Sequence, residues 1–315
     1  MANRSLLPAL LLLGVVWALA PLLMTRHMVD LLVFSGLFTI GGLGVGLLLG
    51  QCGIVNLAQA AFYGIGAYSS GYFSVELGLP APVGFLVGIV ASALIAFAIG
   101  WPILRLRGFF LALATLAIGL IGNVLFFEWD WLTGGTLGIG GIPKLSLFGF
   151  AFDTPERFYY LVWLIAILAL VLADNLVRGR PGLAMRAMRD AAPAAEVLGV
   201  DMHVLKTVMF VICAVLGSLA GSLFAHYVSY VSVQSFTVER SIAFLLIPVV
   251  AGSSSVWGTI VGALFVTLVP EFLSGLGDIH QVLFGLALVL VVTLLPEGLT
   301  GAGQRVVDLF RRRAA

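Results

Sequence analysis

Asn56 and Gln59 stand three residues apart in IVNLAQAAFYGIGAYSSGYF, a stretch otherwise apolar or small, with Tyr63, Ser69 and Ser70 further along it. Amides and hydroxyls of this kind bind by hydrogen bonding and carry no strong base or activated nucleophile. On a helix, Asn56 and Gln59 share a face. Two roles fit them. They can line a polar path for a solute, or they can hydrogen-bond neighbouring helices, because an amide in hydrocarbon is costly without partners. A second constellation is basic. The block RGRPGLAMRAMRDAAPAAEVLGVD, Arg178 to Asp201, puts Arg186 and Arg189 on one helix face and sets Arg186 four residues before Asp190. Pro181 suits the first turn of a helix. Pro193 can open a second short helix with Gly199 as its C-cap, and Asp201 can cap the element that follows. Two short helices at an angle, the first of them basic, can dock to a partner protein or lie on anionic lipid, and both readings stay open.

The other residues capable of chemistry exclude more than they offer. The two lysines, Lys144 and Lys206, lie in no GxxxxGK[ST] string, so the chain has no phosphate-cradling loop of that kind. His27, His203, His226 and His280 have no nucleophile or metal partner at useful spacing, so neither a catalytic residue nor a metal site is expected. Cys52 and Cys213 sit in apolar surroundings and read as packing residues. Asp30, Asp174 and Glu271 fall near the ends of apolar runs. Carriers driven by protons or sodium use ionisable or unwound polar groups at mid-membrane, which weakens the alternative of a self-sufficient secondary carrier or channel.

These residues must be positioned by helices in a bilayer. Of 315 residues, 61% are hydrophobic and 10% charged, with mean hydropathy +1.14, against about 25% charged in soluble domains. The expected fold is an all-α polytopic bundle of about ten transmembrane segments, each needing about 20 apolar residues. They fall at roughly 5–24, 29–50, 54–74, 82–104, 108–127, 158–177, 204–227, 241–252, 256–274 and 279–296. The first resembles a secretory signal, but Pro21 directly after Ala-Leu-Ala disfavours cleavage, so it is taken as a span. The eighth is short and contains Pro248; it is either a short span or a re-entrant half-helix. With ten spans and the N-terminus inside, twelve of the sixteen Lys and Arg residues fall in the cytoplasm and only Arg26, Lys144, Arg157 and Arg240 outside. Both termini are then cytoplasmic. The segment 178–201 is cytoplasmic, and the Gly-, Thr- and Pro-rich stretch 128–157 is an external loop. With no linker in 1–315, a single domain is expected. The 38 glycines suit helices that pack through small residues.

The string AMRAMRDAAPAAEVLGVDMHVLK resembles the cytoplasmic loop of the LivM-type permeases of branched-chain amino acid ABC importers. GIVNLAQAAFYGIGAY, PILRLRGFFLALATLAIG, LTGGTLGIGGIP and AGSSSVWGTIVGALFVTLVPE agree with it in the expected order, from about Leu43 to Gly298. The resemblance implies a type II-like importer permease in a bacterial inner membrane, working by alternating access. It implies a second, LivH-like permease, two cytoplasmic ATPases and an external substrate-binding protein as partners, besides the lipid bilayer, and no nucleic acid. The chain itself would hold no cofactor and would not be an enzyme; ATP and magnesium would belong to the ATPases. Carried over onto this sequence, Ala194, Ala195 and Gly199 fall on the small-residue positions of the loop signature. Together with Arg186, Arg189, Asp190 and Glu196 they form the expected ATPase-coupling segment. Pro193 stands where the wider signature has Glu. Branched-chain or other hydrophobic amino acids are the default substrate, with urea, short amides and aromatic or dicarboxylic compounds as alternatives.

Overall fold

A computed structural model of the chain describes residues 21, 24–147, 150–252, 255–275, 279–295, 298–299 and 301. The expected first span and the C-terminal arginines fall outside these residues, apart from positions 21 and 24. Within them the chain is a helical bundle. α1 is Arg26–Gly46, prolonged by a π turn at Leu47–Gln51; α2 is Gln59–Val75, α3 Ala81–Ile103, α4 Phe109–Glu128 and α5 Asp130–Thr133. Then come α6 (Pro155–Arg178), α7 (Arg180–Val197), α8 (Met202–Val228), α9 (Val238–Ala251), α10 (Gly258–Ser274) and α11 (His280–Leu294). Six stretches of the described residues are long and apolar enough to cross a bilayer: Arg26–Gln51, Ala81–Ile103, Phe109–Glu128, Pro155–Arg178, Met202–Val228 and Val233–Ala251. The chain is a multi-pass membrane protein.

Contacts at the two ends fix the direction of each helix. His27, Asp30, Lys144, Asp153, Tyr227 and Glu271 surround a cavity of about 460 Å³ at one end. Gly50, Arg107, Arg189 and Glu196 meet at the other, through the Arg189 bond to the Gly50 carbonyl and the Arg107–Glu196 ion pair. Successive long helices therefore run antiparallel, and the carboxylates of Asp30, Asp174 and Glu271 lie at helix ends, as expected. The eighth segment crosses rather than turns back. A 3₁₀ turn at Val233–Phe236 leads into α9, whose Phe244 and Ile247 pack on Gly41 and Gly42. Val256, just beyond α9, shares a small pocket with Gln51 near the basic end.

α2 and α8 form the centre. Their approach is close enough that a Cβ on Gly66 would stand 2.0 Å from the Ser218 carbonyl oxygen. In lipid the helices gain nothing by hiding apolar surface from water, so van der Waals packing through small residues holds them together. α3 shows the same device: its buried residues are Gly84, Gly88, Ser92, Ala96 and Gly100, one every fourth position, while Leu86, Val90, Leu94 and Phe97 face outward. The expected external loop 128–157 is turn-rich, with Gly134, Gly135, Gly138 and Gly141 all at positive φ. It is tied down by two short antiparallel pairs: β1 (Ile139–Gly140) with β4 (Tyr230–Val231), and β2 (Ser146–Leu147) with β3 (Phe150–Ala151).

Candidate functional site

The third apolar segment is not a helix throughout. The sequence predicts a helix over 54–74 with Asn56 and Gln59 on one face; α2 begins only at Gln59, and residues 53–58 are non-helical. Such backbone survives at membrane depth only where protein satisfies it. The first-turn N–H groups, which a helix leaves free, find side chains here. Leu57 donates to Thr115 Oγ1 at 3.2 Å, Ala58 to Asn56 Oδ1 at 2.9 Å and Ala60 to Ser241 Oγ at 2.9 Å. Gly119 of α4 lets the segment approach, since a Cβ there would lie 2.8 Å from the Leu57 carbonyl.

Asn56 and Gln59 do meet, but across the helix start rather than along a face, with Asn56 Nδ2 3.4 Å from Gln59 Oε1. Gln59 Nε2 donates to the Gly41 carbonyl at 2.9 Å and the Cys213 carbonyl at 3.2 Å, while Oε1 accepts from the Cys213 thiol at 3.0 Å. Both amides are fully buried, and their bonds join α1, α2 and α8. Tyr63 is buried among Phe224, Phe236 and Phe244 at centroid distances of 5.5, 5.7 and 5.3 Å. Ser69 is half-buried. Ser70 Oγ lies 2.8 Å from His226 Nε2, whose Nδ1 is 2.7 Å from the Pro143 carbonyl. Sequence spacing gave His226 no partner; the fold supplies one from 156 residues away. The pair has the outline of a serine–histidine dyad, but both residues are fully buried and neither lines the two large cavities. It tethers the external loop to α2 and α8. The sequence likewise left His27 unpaired, yet its Nε2 is 2.9 Å from Glu271. No group of three or more His, Cys, Asp or Glu among the described residues could hold a metal ion.

The second constellation is α7. It follows α6 after Gly179 and is kinked at Ala191 (φ −150°, ψ 68°), two residues before Pro193. Gly199 adopts φ +84° after the helix, Val200 N–H returns to the Ala195 carbonyl, and Asp201 caps α8 through the N–H groups of His203 and Val204. The hinge, C-cap and N-cap read from the sequence are therefore all present. The side chains divide in a way the spacing did not reveal. Arg186 donates to the Val177 carbonyl at 2.9 Å, and Arg189 to the Gly50 carbonyl and, at 2.9 Å, to Asp190. Both arginines key α7 to the bundle. Glu196 is 3.7 Å from Arg107, and Ala195 is buried. The exposed side carries Ala194, Val197 and Leu198, the last two 88% and 82% exposed, with Leu183 on the first half. Sequence reading passed over Leu183, Val197 and Leu198; the block also holds Met185 and Met188, which are buried, so composition alone did not mark which apolar side chains stay exposed.

Among the described residues the arrangement offers hydrogen bonding and close packing, and its Ser70–His226 pair is buried. The family described as branched-chain amino acid transport system / permease component matches residues 27–292. The chain belongs to this permease family. It is 32% identical to the high-affinity branched-chain amino acid transport system permease protein LivM of Escherichia coli, over 92% of this chain and 73% of that protein. It is 33% identical to the LivM protein of Salmonella typhimurium over the same shares. The E. coli permease protein LivH is 24% identical, over 76% of this chain and 82% of its own length. No solved structure matches the chain. The chain thus resembles permease proteins of both names.

Proposed function

We propose that the chain is a permease subunit of an ATP-driven importer that moves branched-chain amino acids, acting as a single domain beside a second, LivH-like permease. Two cytoplasmic ATPase subunits supply the energy and bind the ATP and magnesium; an external binding protein delivers the substrate. This chain carries no catalysis of its own. The names of the LivM and LivH relatives support the substrate and the pairing. Arg105, Arg107, Arg178, Arg180, Arg186, Arg189 and Lys206 gather at one end, which supports a cytoplasmic face there, cytoplasmic termini and an inner-membrane location.

The observation that carries the reading is the division of labour on α7. Arg186 and Arg189 fasten it to the bundle, while Ala194, Val197 and Leu198 project as a ridge of small and apolar groups into the cytoplasm. Soluble surroundings do not favour two adjacent aliphatic side chains this exposed, whereas a groove on an ATPase does. ATP-driven movement of the ATPases then pulls on a segment anchored at Gly50 and Val177, the ends of α1 and α6. Asn56, Gln59, Tyr63 and Ser70 serve transport by tying together the helices that must tilt; Ser69, half-buried, is the member of that group free to face a path. Replacing Val197 and Leu198 by Asp tests the ridge. The expected result is normal insertion and permease pairing, with ATPase subunits lost on purification and ATP-driven uptake reduced at least about tenfold, as removal of buried interface anchors does. Undiminished uptake would remove the docking assignment.

A further inference from the structure

The basic end also holds a cavity of about 1100 Å³ that docking of α7 leaves unexplained. Its walls come from five places: the break after α1 (52–55), the loop 104–108 between α3 and α4, the start of α4, the inner side of α7, and the loop and helix start that lead into α8. Arg105, Arg107, Arg189 and Lys206 line it, against Glu196 and Asp201. Counting these six side chains, the cavity carries a net charge of +2. Both carboxylates are in use, Glu196 beside Arg107 and Asp201 on the N–H groups of α8. Arg189 is spent on Gly50 and Asp190. Among the described residues, Arg105 and Lys206 have no carboxylate within 4.0 Å. They converge on this cavity from different elements.

The surroundings identify the level in the membrane. Phe109 lines the cavity and is 72% exposed; Phe110 and Trp101 are exposed beside it, where α3 ends and α4 begins. Of these, Trp101 is of the amphipathic type enriched at span ends, which marks the headgroup region. Above them the outward faces of α3 and α4 present Phe97, Leu94 and Leu113. A cationic hollow opening beside an apolar face is complementary to one kind of molecule, an anion carrying acyl chains.

We propose that this cavity binds the phosphate headgroup of an anionic phospholipid of the cytoplasmic leaflet. Arg105 and Lys206 are the pairing cations, and the acyl chains lie along the outer faces of α3 and α4. Arginine suits the phosphate oxygens through two parallel N–H bonds, and lysine adds a point charge. Met188, Arg189, Ala192 and Glu196 of α7 form part of the wall, so the bound headgroup braces the segment proposed to receive the ATPase. The site rests on the orientation given above but not on the substrate.

The test uses the assembled complex in nanodiscs of phosphatidylcholine with and without phosphatidylglycerol, followed by native mass spectrometry of retained lipid. The wild-type chain is expected to retain phosphatidylglycerol over phosphatidylcholine, with a preference that falls as salt rises. Arg105→Gln with Lys206→Gln should weaken that preference about thirtyfold, two cations at the membrane surface being removed. Arg178→Gln, at the same end but outside the cavity and paired with Asp174, should keep it. Equal retention of both lipids by the wild type would overturn the site, and so would an unchanged preference in a double variant of normal stability. Displacement by millimolar inorganic phosphate would make it a free-anion site instead. Lipid retained only when the ATPase subunits are absent would make it a protein-docking surface. Should the double variant fail to assemble, wild-type selectivity and its salt dependence decide the matter, and lipid uptake can be scored whether or not transport is intact.

Discussion

Gln59 makes three hydrogen bonds to two neighbouring helices from a fully buried position, and Asn56 shares its partner Cys213. Interhelical hydrogen bonds in lipid contribute about 0.6 kcal/mol on average and up to about 1.7 each. Gln59→Leu is therefore expected to destabilise the folded chain by about 1–3 kcal/mol, read as a lower unfolding midpoint in micelles. Because the two amides touch, Asn56→Leu and Gln59→Leu together should cost less than the sum of the singles. Full stability combined with lost uptake would instead assign these amides to solute contact. The types of these residues were legible in the sequence, and the need for partners followed from burying an amide. Which partners they found was not legible: Gly41 and Cys213 come from two other helices, as Thr115 and Ser241, the acceptors for the Leu57 and Ala60 N–H groups, come from two more, and no local spacing encodes such meetings.

The elements show where periodicity is informative and where it fails. Among the described residues, helical patterning located the apolar segments within a few residues, since lipid requires them to be long and continuous. It missed the late start of α2, because apolar and small residues continue through 53–58 and only Gly53 and Asn56 hint at the break. The small-residue stripe on α3 was there to be found at every fourth position from Gly84 to Gly100. The central approach of α2 and α8 makes Gly66 intolerant of any side chain. Gly66→Leu should prevent correct packing, at a cost beyond the about 1–3 kcal/mol of ordinary overpacking, because the obstacle is backbone. Gly285→Ala on α11, where a Cβ meets nothing within 4 Å, should be accepted with normal yield. Comparable monomer yield and melting for the two variants would show that α2 and α8 do not approach as described. On α7, the kink at Ala191 sets the direction of the second half. Pro193→Ala permits a straight helix of 18 residues, about 27 Å long. Spin labels at Leu183 and Val197 should then move apart, with ATP-driven uptake falling several-fold while insertion holds; an unchanged label distance would place the origin of the kink elsewhere than Pro193.

The bundle as a whole has two chemically distinct ends. One gathers arginines, a kinked helix and a wide cationic cavity; the other carries a glycine-rich loop held by short strands and by the His226–Ser70 tether. The sequence foresaw that polarity from charge counting alone, because insertion sorts Lys and Arg between the two sides of a membrane. It could not foresee that Arg186 and Arg189 turn inward, leaving the aliphatic side chains of Val197 and Leu198 exposed. On the proposed reading, the bundle takes its energy from ATPase subunits bound at the basic end. The measurement that tests this most directly is purification of the tagged chain from native membranes, followed by uptake of branched-chain amino acids into vesicles loaded with or without ATP. Co-purification of a second permease and ATPase subunits, with uptake that requires internal ATP and the binding protein, is the predicted result. A chain that purifies alone and transports without ATP along a proton or sodium gradient would contradict it.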